Sequence, residues 1–409
     1  MKKHNLILAS LAGVVLLAGC GESNADNGKV EIEFFSNKVE NTSTYQSMIE
    51  KFEEEHPDIE VSLYAPPDAE TLLRTRLVKD DMPDVVALAG SSLYGELAES
   101  GLLVDYEDSE LLEDVQPAYL EMLNNLEGEE IDGLHGVPYA ANANVVIYNK
   151  EKMEALDGEI PATWDEFIAL MEEAQAEGEI PIYFTLQDAW TGMVPWNGIA
   201  GNLEPEQFAE KKSNGEASFE SDYEETAVKI QELLNYGHER TFGIGYDDGN
   251  RAFANGEGLF YLQGNWAIPE LLAVNPDAEL GVFPLPATNN PEENKLVSGV
   301  DVLLAGMKDS EHQEEVNEFI TFMTEEEQSA QYMDEQAAFS VLEGVYTDDP
   351  VMDGIQESFE TGSLTSFPDH YYPPGMGAEN LIQEFMYRGN NEEFLKRMDE
   401  EWEKIELRY

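Results

Sequence analysis

One acid interrupts an apolar run: in SGVDVLLAG, Ser298 to Gly306, only Asp301 is charged. An unpaired carboxylate in such surroundings costs several kcal/mol, so Asp301 needs hydroxyl donors or a cation. A ligand and a hydrogen bond within the protein satisfy that need equally well. FPDHYYPPG, Phe367 to Gly375, sets Asp369 and His370 beside Tyr371 on a segment stiffened by Pro368, Pro373 and Pro374. It offers an acceptor, an imidazole that changes charge near neutral pH, and a phenol. A lone histidine is more often structural, whereas a loop position beside an acid favours binding. Lys38, one of few cations, can bridge to Asp301 or Asp369, or remain a surface lysine. In NGEGLFYLQGNWAIPELL, Asn255 to Leu272, an apolar strand pattern is broken by Gly264 and Asn265 immediately before Trp266. The break exposes the turn, so the indole either fills core or offers a flat face. LQDAWTGMVPWNGIAGN, Leu186 to Asn202, places Asp188, Trp190, Trp196 and Asn197 in a loop and helix start, which suits a second aromatic site or plain core.

None of this is enzyme machinery of a familiar kind. There is no phosphate loop ending in Gly-Lys-Ser/Thr and no Gly-x-Gly-x-x-Gly. GSSLY, Gly90 to Tyr94, lacks the final glycine of a nucleophile elbow. HERTF, His238 to Phe242, fails as a zinc motif at its fifth position, and DDGN, Asp247 to Asn250, lacks the alternating acids of a calcium loop. Carboxylate pairs abound, so none can be singled out as a glycosidase pair. Neither a metal nor another cofactor is expected, and weight shifts from catalysis to binding.

The elements that must position these residues follow from periodicity. KVEIEFFS reads as a strand. In STYQSMIEKFEEEHP, Tyr45, Met48, Ile49 and Phe52 fall on one helical face, with Ser43 as N-cap and Pro57 as stop. IEVSLYAP and PDVVALAG are strands around a helix from Asp68 to about Lys79, the pattern of βαβ units and a largely parallel sheet. A second α/β series begins near GVPYAANANVVIYNKE, and its clearest helix is TWDEFIALMEEAQAEG, with a Thr163/Glu166 capping box. Further helices are expected over Tyr223 to Tyr236, Asp309 to Met323 and Asn391 to Leu407, the last carrying Trp402 on its apolar stripe. With 409 residues the chain exceeds what one core normally fills, so two lobes are expected.

Charge and leader place the molecule. Against 22 Lys and Arg stand 85 Asp and Glu, a net charge of −63. Such a surface repels nucleic acid, which excludes that partner, and suits a saline or alkaline exterior. Lys2 and Lys3 precede an apolar stretch from Leu6 to Ala18, too short for the roughly 20 residues of a bilayer span. It ends in LAGC, Leu17 to Cys20, and Cys20 is the only cysteine. LAGC resembles the lipobox of bacterial lipoproteins, which implies a signal peptide over 1–19, lipidation of Cys20, and a polar tether over 20–28.

Longer segments carry a second resemblance. FANGEGLFYLQGNWAIPELLAVNPDAELGVFPLPATNN, Phe253 to Asn290, resembles a hallmark of extracellular solute-binding proteins of carbohydrate ABC transporters. MIEKFEEEHPDIEV with DMPDVVAL, ELAESGLLVDY, and DGLHGVPYAANANVVIYNKE match the same family in order, from about Lys29 to the C-terminus. The likeness is to oligosaccharide-binding members of the raffinose and multiple-sugar type. It implies an α/β, two-lobed periplasmic-binding-protein-like fold, with hinge crossovers and a ligand cleft between lobes that close on the ligand. Lobe 1 would comprise 29–138 and 298–341, and lobe 2 would comprise 139–297 and 342–409.

The same resemblance assigns Trp266 as a stacking platform and favours ligand contact for Asp301. Ligands of open α/β sheets sit at the carboxyl ends of strands, which adds Ser36, Asn37 and Lys38 and the stretch Ala89, Gly90, Ser91 and Ser92. The expected ligand-binding set is therefore Asn37, Lys38, Ser91, Ser92, Asp188, Trp190, Asn265, Trp266, Asp301, Asp369, His370 and Tyr371. A pyranose has an apolar C–H face and a belt of hydroxyls, matched by a flat ring and planar polar groups. The expectation is a monomeric receptor, lipid-anchored through Cys20 at the extracellular face of the cytoplasmic membrane, that passes an oligosaccharide to the transmembrane subunits of an ABC permease. A binder of a phosphorylated polyol such as glycerol phosphate would need an arginine-lined cleft, for which Arg74, Arg76 and Arg251 are available. A secreted glycan hydrolase is the other alternative.

Overall fold

The computed structural model describes residues 29–407 apart from 67–68, 80, 129–130, 206 and 347, so the leader, Cys20 and the tether lie outside the described residues. Nine strands form the sheet system: β1 (Val30–Ser36), β2 (Ile59–Tyr64), β3 (Val85–Leu88), β4 (Val137–Asn149), β5 (Phe260–Gly264), β6 (Leu280–Phe283), β7 (Leu296–Gly306), β8 (Phe339–Ser340) and β9 (Leu364–Thr365). The main order is β2-β1-β3-β7-β4-β5. β1 pairs β2 and β3 in parallel, as the βαβ reading requires. The largely parallel sheet stops there, because β7 runs antiparallel to both β3 and β4, and β4 runs antiparallel to β5 and β6. The sheet is mixed because β4 and β7 are long strands that pass through the middle of the molecule in opposite directions.

β4 is the key to the layout. Val137 to Ala143 pair with β7, whereas Asn144 to Tyr148 pair with β5, and Val146 to Asn149 also with β6. One continuous strand thus serves two sheets, changing partner at Ala143/Asn144. β7 does the same in reverse: Leu296 and Val297 pair with β9, and Ser298 onward with β4. The expected lobe boundary at 138/139 falls within β4, five residues before the strand changes partner.

Helices cover both sheets as their apolar stripes dictate. Thr42–Glu55 buries Tyr45, Met48, Ile49 and Phe52. Its N-cap is Asn41, two residues before the expected Ser43, and its C-cap is His56, before Pro57. Phe34, Phe52 and Phe319 meet edge to face at ring separations of 5.1 Å in the first core. Trp164–Ala176 carries the expected capping box, with Thr163 Oγ1 accepting from Glu166 N and Glu166 accepting from Thr163 N. Asn391–Glu406 buries Trp402 in the second core beside Phe208, Phe219 and Tyr372. Among the described residues no helix is long and apolar enough to cross a membrane.

Trp402→Ala removes a 2% exposed indole. It is expected to cost about 3–5 kcal/mol of unfolding free energy in urea titration; a loss below ~1 kcal/mol would contradict this packing.

Candidate functional site

Asp301 is half-buried on β7 between Val300 and Val302, and its charge is met. Lys38 Nζ donates to Asp301 Oδ1 at 2.6 Å and Asn142 Nδ2 donates to the same oxygen at 2.9 Å. Lys38 reaches there because β1 ends at Ser36 and the Ser36 hydroxyl accepts from Lys38 N at 3.0 Å, turning the chain inward. Nearby, Tyr45 stacks on Tyr332 at 5.6 Å and Tyr139 lies 4.9 Å from Tyr332. Burial pushes the Tyr45 hydroxyl up to about 12, so this cluster is neutral at any physiological pH. Ser91 and Ser92 are half-buried at the start of the helix Ser92–Glu99. Gly90 N donates to Val300 O at 2.9 Å, tying that loop to the strand carrying Asp301.

A second set comes from the short turn Pro368–Tyr371. Asn197 Nδ2, on the helix Met193–Leu203, donates to Asp369 Oδ1 at 2.8 Å. The turn rests on β7 at Gly299, where a Cβ would lie 2.6 Å from the Phe367 ring. His370 joins the two sets: its ring lies over Gly299 and feels the Gly90 backbone, Asp369, Asp301 and Lys38. Burial is the largest influence on it and lowers its pKa below the usual 6.5, against the pull of the two carboxylates. Tyr371 is pushed up to about 12 by burial, opposed by a hydrogen bond to Ser366. Beneath the turn, Tyr372 accepts from Trp196 Nε1 at 3.0 Å, and the Tyr223 hydroxyl donates to Glu204. Burial raises the Glu204 carboxyl to about 8, against the Tyr223 bond, with the Asp369 charge adding to the rise.

Trp266 stands at the first turn of Ala267–Val274, and its indole folds back across Gly264. A Cβ on Gly264 would fall 2.0 Å from the ring, so only glycine permits this pose. The indole is partly exposed and packs against the first core, while its Nε1 is buried without a hydrogen-bond partner.

Asn265, expected as a ligand contact, is engaged within the protein. Its Oδ1 accepts from Ala143 N at 2.8 Å and its Nδ2 donates to Ala337 O at 2.5 Å, and the residue is buried. The two ends of the amide fasten the crossover of β4 to the backbone at Ala337. Trp196 likewise settles as core: it is fully buried and stacks on Tyr223 at 5.5 Å. Trp190 is 41% exposed, edge-on to Tyr246 at 4.9 Å, and Asp188 Oδ2 accepts from Tyr246 N at 2.8 Å. The two tryptophans are therefore not paired, and the ring beside Trp190 is that of Tyr246.

Sequence reasoning left Asn142 and Tyr246 out of the site and gave Asn197 no role. The available mark was a polar residue in an otherwise apolar element, as in YAANANVV and VPWNGIAG. Asn37 Oδ1, Asn142 Oδ1 and Asn197 Oδ1 are buried without partners, like Trp266 Nε1. The arginines that a phosphate site needs are engaged elsewhere: Arg74 with Glu96, Arg76 with both oxygens of Glu33, and Arg251 with Asp248.

The sequence profile described as bacterial extracellular solute-binding protein matches residues 36–330. The chain belongs to that family. It is 29% identical over 350 residues to the multiple sugar-binding protein of Streptococcus mutans, covering 82% of this chain and 81% of the relative. It is 24% identical over 361 residues to the melibiose/raffinose/stachyose-binding protein MelE of Bacillus subtilis, covering 85% and 83%. The solved complex of the solute-binding protein RafE with raffinose superposes with a TM-score of 0.74 at 25% identity, over 92% of this chain and all of that one. The fold is thus the two-lobed solute-binding architecture, and the relatives are binding proteins.

Two titrations check the electrostatics. The His370 imidazole should titrate below pH 6.5 in NMR spectra, leaving it neutral at pH 7; a value above 6.5 would show that Asp369 and Asp301 outweigh burial. Glu204, raised to about 8 against 4.5 unfolded, holds a proton that the unfolded chain has lost across that window. Stability should fall as pH rises from 4.5 to 8, by at most about 1.4 kcal/mol per pH unit from this group. Glu204→Gln should flatten the profile measured by denaturation, and an unchanged slope would contradict the assignment.

Proposed function

We propose that the protein is the capture component of a carbohydrate ABC importer, closing its two lobes on a neutral oligosaccharide and delivering it to the membrane permease. The observation that carries this reading is Trp266: a partly exposed indole laid flat on Gly264 with an unpartnered Nε1, in a chain whose polar side chains converge on β7 at Asp301 and Gly299. A sugar ring stacks its C–H face on such a surface, and its hydroxyls reach Lys38, Asn37, Asp301, Asp369 and His370. Ser91 and Ser92, at the head of a helix, and Tyr371, beside His370, flank this set. Asp188, Trp190 and Tyr246 lie further along the second lobe and would extend the site for longer chains. The sugars for which MelE is named, melibiose, raffinose and stachyose, are the first ligands to try.

The two lobes of this reading divide near the points where β4 and β7 change partners, and those strands form the hinge. If the open form dominates without ligand, apparent affinity equals that of the closed form reduced by its population, so hinge substitutions tune uptake. Cys20 carries the lipid anchor, two acyl chains sufficing where one does not. The monomer sits at the outer face of the membrane, and no covalent chemistry is involved.

Calorimetry with raffinose, stachyose, melibiose and maltotriose tests the proposal. One of these should bind stoichiometrically without being cleaved, and Trp266→Ala should weaken it about tenfold, roughly 1.4 kcal/mol. Cleaved sugar would establish the hydrolase instead, and affinity unchanged in the variant would remove the stacking role.

A further inference from the structure

Two side chains outside the expected set share one arrangement. Asn142 gives its amide nitrogen to Asp301 and Asn197 gives its own to Asp369, at 2.9 and 2.8 Å. An amide whose nitrogen faces a carboxylate has its carbonyl oxygen turned away, and in both residues that oxygen is buried without a partner. Asn197 is 4% exposed, so water does not easily supply the missing donor. The pairs lie close together. Asn142 stands opposite Gly299 in the β4–β7 register, on one face of that strand pair, and its amide reaches Asp301 two residues further along β7, where the register shifts. The Phe367 and His370 rings cover that face at Gly299, one residue from Asp369. Asn37, beside Lys38, contributes a third buried oxygen without a partner.

The orphaned atoms of the asparagines are all acceptors. The two acids accept as well, and the neutral form of His370 can donate from only one ring nitrogen. Among the described residues Lys38 is the one cation paired with these acids, and Asp301 neutralises it. An acceptor-rich wall of this kind is completed by hydroxyl donors. It is left unsatisfied by a carboxylate or phosphate, which can only accept.

We infer that Asn142 and Asn197 are specificity-determining residues, each fixed by a carboxylate so that it presents a hydroxyl-accepting oxygen, and that together they select neutral polyhydroxylated ligands over acidic counterparts of the same size. This rests on the carbohydrate-binding reading. It differs from the general repulsion of anions by a chain of net charge −63, because it acts through contact and survives screening.

The test uses the four neutral saccharides above, each compared by calorimetry with its uronate made by oxidation at C6, in 0.15 M and again in 1 M NaCl, where the screening length is only about 3 Å. The inference expects at least one neutral sugar to bind and its uronate to bind at least tenfold more weakly at both salt concentrations. Asn142→Lys keeps a donor on Asp301 but replaces the acceptor with a cation, and should narrow the ratio at least threefold, with folding checked by thermal melting. Uronate binding within threefold of the neutral sugar, or a preference that vanishes in 1 M NaCl, overturns the inference and leaves the carbohydrate reading standing. If no saccharide of either kind binds, the carbohydrate reading itself fails.

Discussion

A carboxylate set into an apolar strand has to be answered, and the answer at Asp301 organises the middle of the molecule. Lys38 must arrive from the end of β1 and Asn142 from β4, so the strand order β1-β3-β7-β4 places donors on either side of β7. Once those bonds exist, the carboxyl ends of the first strands, the crossover of β4 and the returning β7 are held in one place. The turn bearing Asp369 and His370 then closes over Gly299, two residues from Asp301. The lowered pKa of His370 follows from that placement, because a ring packed this closely is easier to keep neutral than charged, even between two acids.

The same region explains why the chain can be two-lobed without being two independent domains. β4 and β7 belong to both sheets, and Asn265 ties the β4 crossover to Ala337. β4 and β7 are thus connections whose partners change along their length, built from element interiors rather than from a flexible linker. The large acidic excess stays compatible with this because the central segments hold few charges. In PDVVALAGSSLY, GVPYAANANVVIYN and SGVDVLLAG the only acids are Asp84 and Asp301.

Much of this was legible beforehand, and the exceptions share a cause. Local features were read well where one segment decides them: the capping box at Thr163, the stop before Pro57, the buried stripe with Trp402. The Lys38–Asp301 bridge was one of two partners offered by charge alone, since a chain with few cations leaves a buried acid few choices. What was not legible depends on partners distant in sequence. Asn265 was read with its neighbours Gly264 and Trp266, and its bonds to Ala143 and Ala337 left no local mark. Trp196 and Trp190 look alike in LQDAWTGMVPW, yet the helix turns one into the core beside Tyr223 and leaves the other at the surface. Asn142 and Asn197 sat in apolar runs as visibly as Asp301 did. They drew less notice because an uncharged amide is cheaper to bury than a carboxylate.

The central claim is that one indole and the polar groups along β7 form a single site entered from between the lobes. A crystal structure with a bound tri- or tetrasaccharide tests it most directly. The account predicts a sugar ring parallel to the Trp266 indole at van der Waals distance, with hydroxyls donating to Asp301, Asp369 and the asparagine oxygens. A saccharide bound elsewhere, with Trp266 Nε1 and those oxygens satisfied by the protein itself, would contradict it.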